Sequence, residues 1–186
     1  MALSRNKRLT ASQHNFAMVP RADIPRSTYM LQQLHKTTFN GGDLVPIYCA
    51  EILPGDLFQG ELNMFARLAT PVFPVMDNAE IETFFFFVPN RLLWEHWEDF
   101  IAGGNYTIPH IEYGGASYEV GGIYDHFGLP TTGQLTTTIN INALPLRAYN
   151  KIYNEWFRDQ NLTTPAPEHT DDGPVINLRI RQLIRS

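Results

Sequence analysis

The chain has 186 residues, 44% of them hydrophobic, and a formal net charge of −5. This suits one domain with a packed core and argues against wholesale disorder. No apolar run approaches the ~20 residues of a bilayer span, no apolar signal core opens the sequence, and the single cysteine, Cys49, excludes an internal disulfide framework or a cysteine-based zinc cluster.

The charge is unevenly placed. Residues 1–36 carry six basic side chains (Arg5, Lys7, Arg8, Arg21, Arg26 and Lys36) against Asp23 alone. Residues 37–110 carry ten acids against Arg67 and Arg91. A basic arm, 1–36, therefore leads into an acidic body, 37–186. The arm is polar and has no clean period. It reads either as a solvated terminus or as an arm that contacts a polyanion or a neighbouring subunit.

Organised structure is expected from Phe39 onward. Asn40-Gly41-Gly42 and Pro54-Gly55-Asp56 are turn signals, and the apolar run between them predicts a strand over roughly 43–53, with Pro46 near its start or on an edge. Cys49 lies in that run and reads as a buried thiol. In 57–70, Phe58, Leu62, Met64, Ala66 and Leu68 alternate with Gln59, Glu61, Asn63 and Arg67, which predicts a half-buried antiparallel strand.

Residues 79–88, AEIETFFFFV, are a third expected strand. Glu80, Glu82, Phe84, Phe86 and Val88 share one face, and Ile81, Thr83, Phe85 and Phe87 share the other. Both faces become aromatic. Such a strand needs cover on both sides, from an inserted segment, a second sheet or another chain, because exposed rings are an aggregation hazard.

Pro89 ends this segment. Asn90 is a candidate cap for a helix whose stripe is Leu93, Trp94, Trp97, Phe100 and Ile101, with Gly103-Gly104 as its stop. A second helix is expected from the candidate cap Asn142, with Pro145 in its first turn and Tyr149, Ile152, Tyr153 and Trp156 as its stripe. The Gly-, Thr- and Tyr-rich stretch 102–141 between them reads as a surface excursion with room for a small hairpin near Tyr113–Pro130.

Catalytic chemistry is not legible. No P-loop, dinucleotide fingerprint, HExxH pair or GxSxG elbow occurs, and no cofactor is expected. Glu95, His96, Glu98 and Asp99 read as the solvated face of the first helix rather than a metal site. Asp171-Asp172-Gly173 lacks the ligand spacing of a calcium loop and reads as a turn.

Three long blocks carry a resemblance: KTTFNGGDLVPIYCAEILPGD, MFARLATPVFPVMDNAEIETFFFFVPNRLLWEHWEDF and LPLRAYNKIYNEWFRDQN. Over about residues 5–174 the chain resembles the major capsid proteins of microviruses, in their gokushovirus branch. The resemblance implies a mainly β fold, an eight-stranded antiparallel jelly roll with large, partly helical insertions, of which this chain matches the N-terminal portion. It also implies a structural role. Copies would form pentamers and a small icosahedral shell around a circular single-stranded DNA genome, assembled in the cytoplasm of a bacterial host and found in the virion. Partners would be other copies, the packaged DNA, other virion proteins and a bacterial surface receptor, without membrane insertion.

Within that frame Arg5, Lys7 and Arg8 are the candidate DNA contacts, and Phe84, Phe86, Trp94 and Trp97 the candidates for packing between subunits. Relatives continue past the position of Gly173, and the tail PVINLRIRQLIRS does not read like their continuation. A fragment of a jelly roll would leave strand edges unpaired. The alternative function is a carbohydrate-binding or host-attachment module, displaying aromatics from the Gly/Tyr-rich 103–128 segment.

Overall fold

Two turns of the same construction bracket the first apolar run. The Asp43 amide donates to Asn40 O at 3.2 Å while the Asp43 carboxylate accepts from the Asn40 amide. The Asp56 amide donates to Leu53 O at 3.1 Å, and its carboxylate accepts from Leu53 N. Gly42 and Gly55 supply the left-handed backbone in each, at φ 88° and 87°.

These features come from a computed structural model, which describes residues 25, 27–114 and 118–173 and the backbone of 181–182. The chain divides into two units, Met1–Leu34 and His35–Ser186. In the first, the described residues are exposed and without regular secondary structure. Arg5, Lys7 and Arg8 lie outside the described residues.

Among the described residues the second unit is low in helix and holds two small antiparallel pairs. Strand β1 (Asp43–Leu44) pairs with β4 (Arg181–Gln182), and β2 (His110–Tyr113) pairs with β3 (Ile139–Asn142) in the register Ile111 opposite Ile141 and Tyr113 opposite Ile139. Among the described residues it also holds helices α1 (Trp97–Ile101), α2 (Ile123–His126) and α3 (Leu144–Ile152), with a 3-10 turn at Asn90–Leu92 and a π-helical extension of α3 at Tyr153–Phe157.

The core is organised around α3. Leu146 and Tyr149 pack with Ile111, Ile123 and Ala143, flanked by Leu44, Tyr124 and Phe127. Leu144 packs with Leu93 and Trp94, flanked by Val88, Trp97, Phe100, Ile108 and Ala148. The helix thus lies between two apolar clusters, one built on β2 and α2, the other on the turn before α1. Pro145 sits in its first turn, where a missing N–H costs no intrahelical bond. The Asn142 side chain does bond the helix start, accepting from Leu144 N at 2.9 Å, although the capping position itself is Ala143.

Several expectations need correction. The helix expected from Asn90 breaks into the 3-10 turn and the short α1, and Pro89 rather than Asn90 holds the turn's capping position. Stretch 102–141 is no surface excursion. It contributes β2, α2 and β3, and it buries Ile111, Tyr113 and Ile123. The signal was present in the alternation of HIEY, whose Ile and Tyr face inward. Among the described residues, β2 pairs with β3, beyond the Tyr113–Pro130 stretch in which a small hairpin was expected, and the described part of that stretch enters no ladder other than Tyr113.

The expected strands show the largest difference. Only Asp43 and Leu44 of 43–53 enter a ladder, and 57–70 and 79–88 enter none. Their side chains are largely exposed, including Leu57, Phe65 and Phe87. Cys49, expected to be buried, is exposed in the same unpaired chain. A strand is completed by its neighbours, and the described residues offer these segments none.

Candidate assembly surface

Two features stand out: a polar clasp that fixes the frame, and an aromatic ribbon that the frame leaves open.

The clasp lies along α3 and its extension. Arg147, Asn150 and Asn154 recur at spacings of three and four, on one helix face, and all three are buried. Together they grip the backbone of 166–173. Arg147 donates through Nη2 to Asp171 O and Gly173 O, both at 2.7 Å, and through Nη1 to Leu93 O at 3.0 Å. Burial lowers the guanidinium pKa from its ordinary value, and the nearby Asp171 and Asp172 carboxylates oppose that effect.

Asn150 Nδ2 donates to Pro167 O at 3.0 Å. Asn154 bonds both sides of Ala166, donating to its carbonyl at 2.9 Å and accepting from its amide at 2.7 Å. Its amide also reaches Glu168, which pairs with Lys151 at 3.3 Å.

Asp172 closes the clasp onto the first aromatic segment. Its carboxylate accepts from Trp94 Nε1 at 2.6 Å and lies 3.3 Å from His96 Nδ1, while Glu95 N donates to Thr170 O at 3.0 Å. The indole donor, and then the bond to His96, hold the Asp172 carboxyl below its ordinary pKa. His96 stacks on Tyr106 at 4.3 Å between ring centres. The polar cluster read as a solvated face thus turns His96 onto Asp172, which is itself exposed.

This explains where two of the candidate packing residues stand. Trp94 is 0% exposed and wholly enclosed by its own chain, and Trp97 packs on the same cluster. Phe84 and Phe86 lie elsewhere, on the ribbon. Their rings meet those of Phe157, edge-on at 5.2 and 5.8 Å, and Phe86 also meets Trp156 at 5.6 Å. Trp156, expected in the buried stripe of the second helix, is instead 73% exposed at the lip of this seam. The π-helical turn at Tyr153–Phe157 shifts it off the face that buries Tyr149 and Tyr153. On the other side of the ribbon, Phe85 and Phe87 are 73% and 77% exposed.

The Gly/Tyr-rich segment turns its aromatics on one another. Tyr113 is fully buried and donates to Pro130 O, and Tyr118 stacks on its ring at 4.1 Å, with Tyr124 edge-on to Tyr118. Burial, and behind it the neighbouring Tyr118 and Tyr124 phenols and the Asp125 carboxylate, push the Tyr113 hydroxyl pKa up. Among the described residues no group of three or more His, Cys, Asp or Glu side chains could hold a metal ion, and no helix is long and apolar enough to cross a membrane.

The aromatic ribbon stands exposed beside a clasped frame, and comparison with known proteins gives the chain a family. Residues 17–185 match the family described as capsid protein (F protein), and the chain belongs to it. It is 45% identical over 170 residues to capsid protein VP1 of Bdellovibrio phage phiMH2K, 41% over 185 residues to that of Chlamydia phage 1, and 34% over 167 residues to that of Spiroplasma virus 4. These alignments cover 88%, 92% and 84% of this chain, but 31%, 30% and 29% of the relatives. The chain thus spans about a third of their length. The resemblance to microvirus capsid proteins read from the sequence is borne out. The match reaches residue 185, so the tail set apart in the sequence reading lies within the family's pattern, and its backbone at 181–182 completes the pair with β1.

Proposed function

We propose that the chain serves as a structural subunit of the shell of a bacterial virus, contributing the N-terminal part of an antiparallel jelly roll. The observation that carries this is the 45% identity, over 88% of the chain, to a capsid protein VP1. The exposed seam supports it. Phe84, Phe86 and Trp156 are rings a neighbouring copy would cover, while Trp94 and Trp97 hold the frame's own apolar cluster. Copies of the chain and other virion proteins are its partners, the virion is its place, and a bacterial surface receptor is the outer contact.

The basic arm, with Arg5, Lys7 and Arg8, is assigned to packaged single-stranded DNA, whose phosphates such side chains neutralise without reading sequence. Replacing these three by Ala should flatten the salt dependence of single-stranded DNA binding, and an unchanged slope removes the assignment.

The test of the shell role is a chimera in which this chain replaces the matched third of the Chlamydia phage 1 capsid protein. Electron microscopy should find pentamers or closed particles. A soluble chimera that stays monomeric contradicts the role.

A further inference from the structure

Asn40-Gly41 is the one Asn-Gly pair in the sequence. The turn it opens is closed through the main chain of Asn40, whose amide donates to the Asp43 carboxylate and whose carbonyl accepts from the Asp43 amide, both at 3.2 Å. The side-chain amide of Asn40 takes no part. Among the described residues neither that group nor the Gly41 N–H makes a hydrogen bond. Both residues are exposed, and a Cβ built at Gly41 would meet nothing within 4 Å.

A free side-chain amide beside an unhindered main-chain N–H is what ring closure requires. We propose that Asn40 is a site of spontaneous deamidation, through a cyclic imide formed with Gly41. The Gly41 nitrogen attacks Asn40 Cγ and a C–N bond forms. Nδ2 leaves as ammonia, taking the proton that Gly41 gives up. Water then opens the imide at either carbonyl. One opening leaves an ordinary aspartyl residue. The other leaves an isoaspartyl residue, whose main chain runs through the side chain and is one carbon longer.

The other candidates in the chain lack one half of this arrangement. Asn78, Asn105 and Asn161 are exposed, but Ala79, Tyr106 and Leu162 follow them, and a side chain on the attacking residue crowds the ring. Asp172-Gly173 has the glycine but a poor electrophile, since its carboxylate accepts from Trp94 Nε1 at 2.6 Å and is held ionised.

The modification alters the turn in two ways. A new carboxylate stands close to that of Asp43, and the like charges repel. The isoaspartyl form also displaces the carbonyl that the Asp43 amide binds. Strand β1 starts at Asp43, and Leu44 O accepts from Tyr149 Oη at 2.8 Å, so the change falls where this turn meets α3.

Peptide mapping by mass spectrometry tests this on the 186-residue chain aged in warm, mildly alkaline buffer, beside a synthetic peptide of residues 36–46 aged identically. Asn40 should convert less than about tenfold more slowly than in the peptide, and a larger shortfall means that the fold protects it and overturns the proposal. Both products should form, the isoaspartyl one accepting a methyl group from an isoaspartyl methyltransferase. Ordinary aspartate alone would overturn the cyclic route. Asn78, Asn105 and Asn161 should keep their amides while Asn40 converts, and equal conversion at all four would remove the assignment. Gly41→Ala, which the open space admits, should slow the reaction by about tenfold or more, and an unchanged rate contradicts the mechanism. Protected α3 amides in the same preparation establish that the folded chain is what ages. Where the lone chain does not stay in solution, the Chlamydia phage 1 chimera is aged instead and read by the same outcomes.

Discussion

Trp94 and Asp172 meet across 78 positions of sequence, the indole N–H donating to the carboxylate at 2.6 Å. The bond ties the turn before α1 to the segment gripped by α3, and it sets an acid limit on the clasp. The folded-state pKa of Asp172 is depressed, so its contribution is complete above the ordinary carboxylate value. It is lost as pH falls through the lower folded value, in a window below about pH 4. Asp172→Asn should remove that acid dependence. Tryptophan fluorescence followed from pH 6 to pH 2 checks this, and a transition of equal size in both proteins contradicts it.

Arg147 satisfies three carbonyls from a buried position. Arg147→Ala should cost about 3 kcal/mol in urea unfolding, since hydrogen bonds to a charged donor are lost and carbonyls are left unpaired. Arg147→Lys should recover little of it, because one ammonium cannot reproduce the planar fork that spans Leu93, Asp171 and Gly173.

Asn154 treats the Ala166 residue as a strand neighbour would, bonding both its amide and its carbonyl. Asn154→Ala should destabilise by about 2 kcal/mol. Asn154→Asp should be nearly as costly, because a carboxylate keeps the bond to the amide and repels the carbonyl. Thermal unfolding of both variants measures this.

Gly104 closes α1 with its amide bonded to Asp99 O at 2.8 Å, and a Cβ there would stand 2.7 Å from that same backbone oxygen. Gly104→Ala should lower stability by about 1–2 kcal/mol, as the helix end has to move. Gly41→Ala, with open space around the added carbon, should change little.

What the sequence made legible was local. Both Asx-type turns, the Gly103-Gly104 stop and the first turn of α3 with Pro145 in it follow from residues within a few positions of one another. The apolar stripe of α3 was readable for Tyr149 and Tyr153. It failed for Trp156, because a π-helical turn breaks the 3.6-residue period. The clasp was missed for a different reason. Arg147, Asn150 and Asn154 look like a solvent-facing stripe. Only the return of 166–173, whose Pro and Asp-rich sequence makes no ladder of its own, turns that stripe inward. Asp171-Asp172-Gly173, expected as a turn, is a bend, and nothing in its sequence names Trp94 as a partner.

The aromatic ribbon was legible as needing cover, and the open Phe85 and Phe87 agree with that reading. Its expected strand partners were not legible, because pairing is a property of two segments.

Hydrogen exchange on the isolated 186-residue chain at low concentration tests the central claim most directly: a clasped frame carrying exposed segments that join no ladder among the described residues. The account predicts protected amides in α3, at Leu146–Ile152, and amides across 57–88 that exchange nearly as fast as an unstructured peptide. Protection of 57–88 matching that of α3, in a chain that remains monomeric, would contradict it.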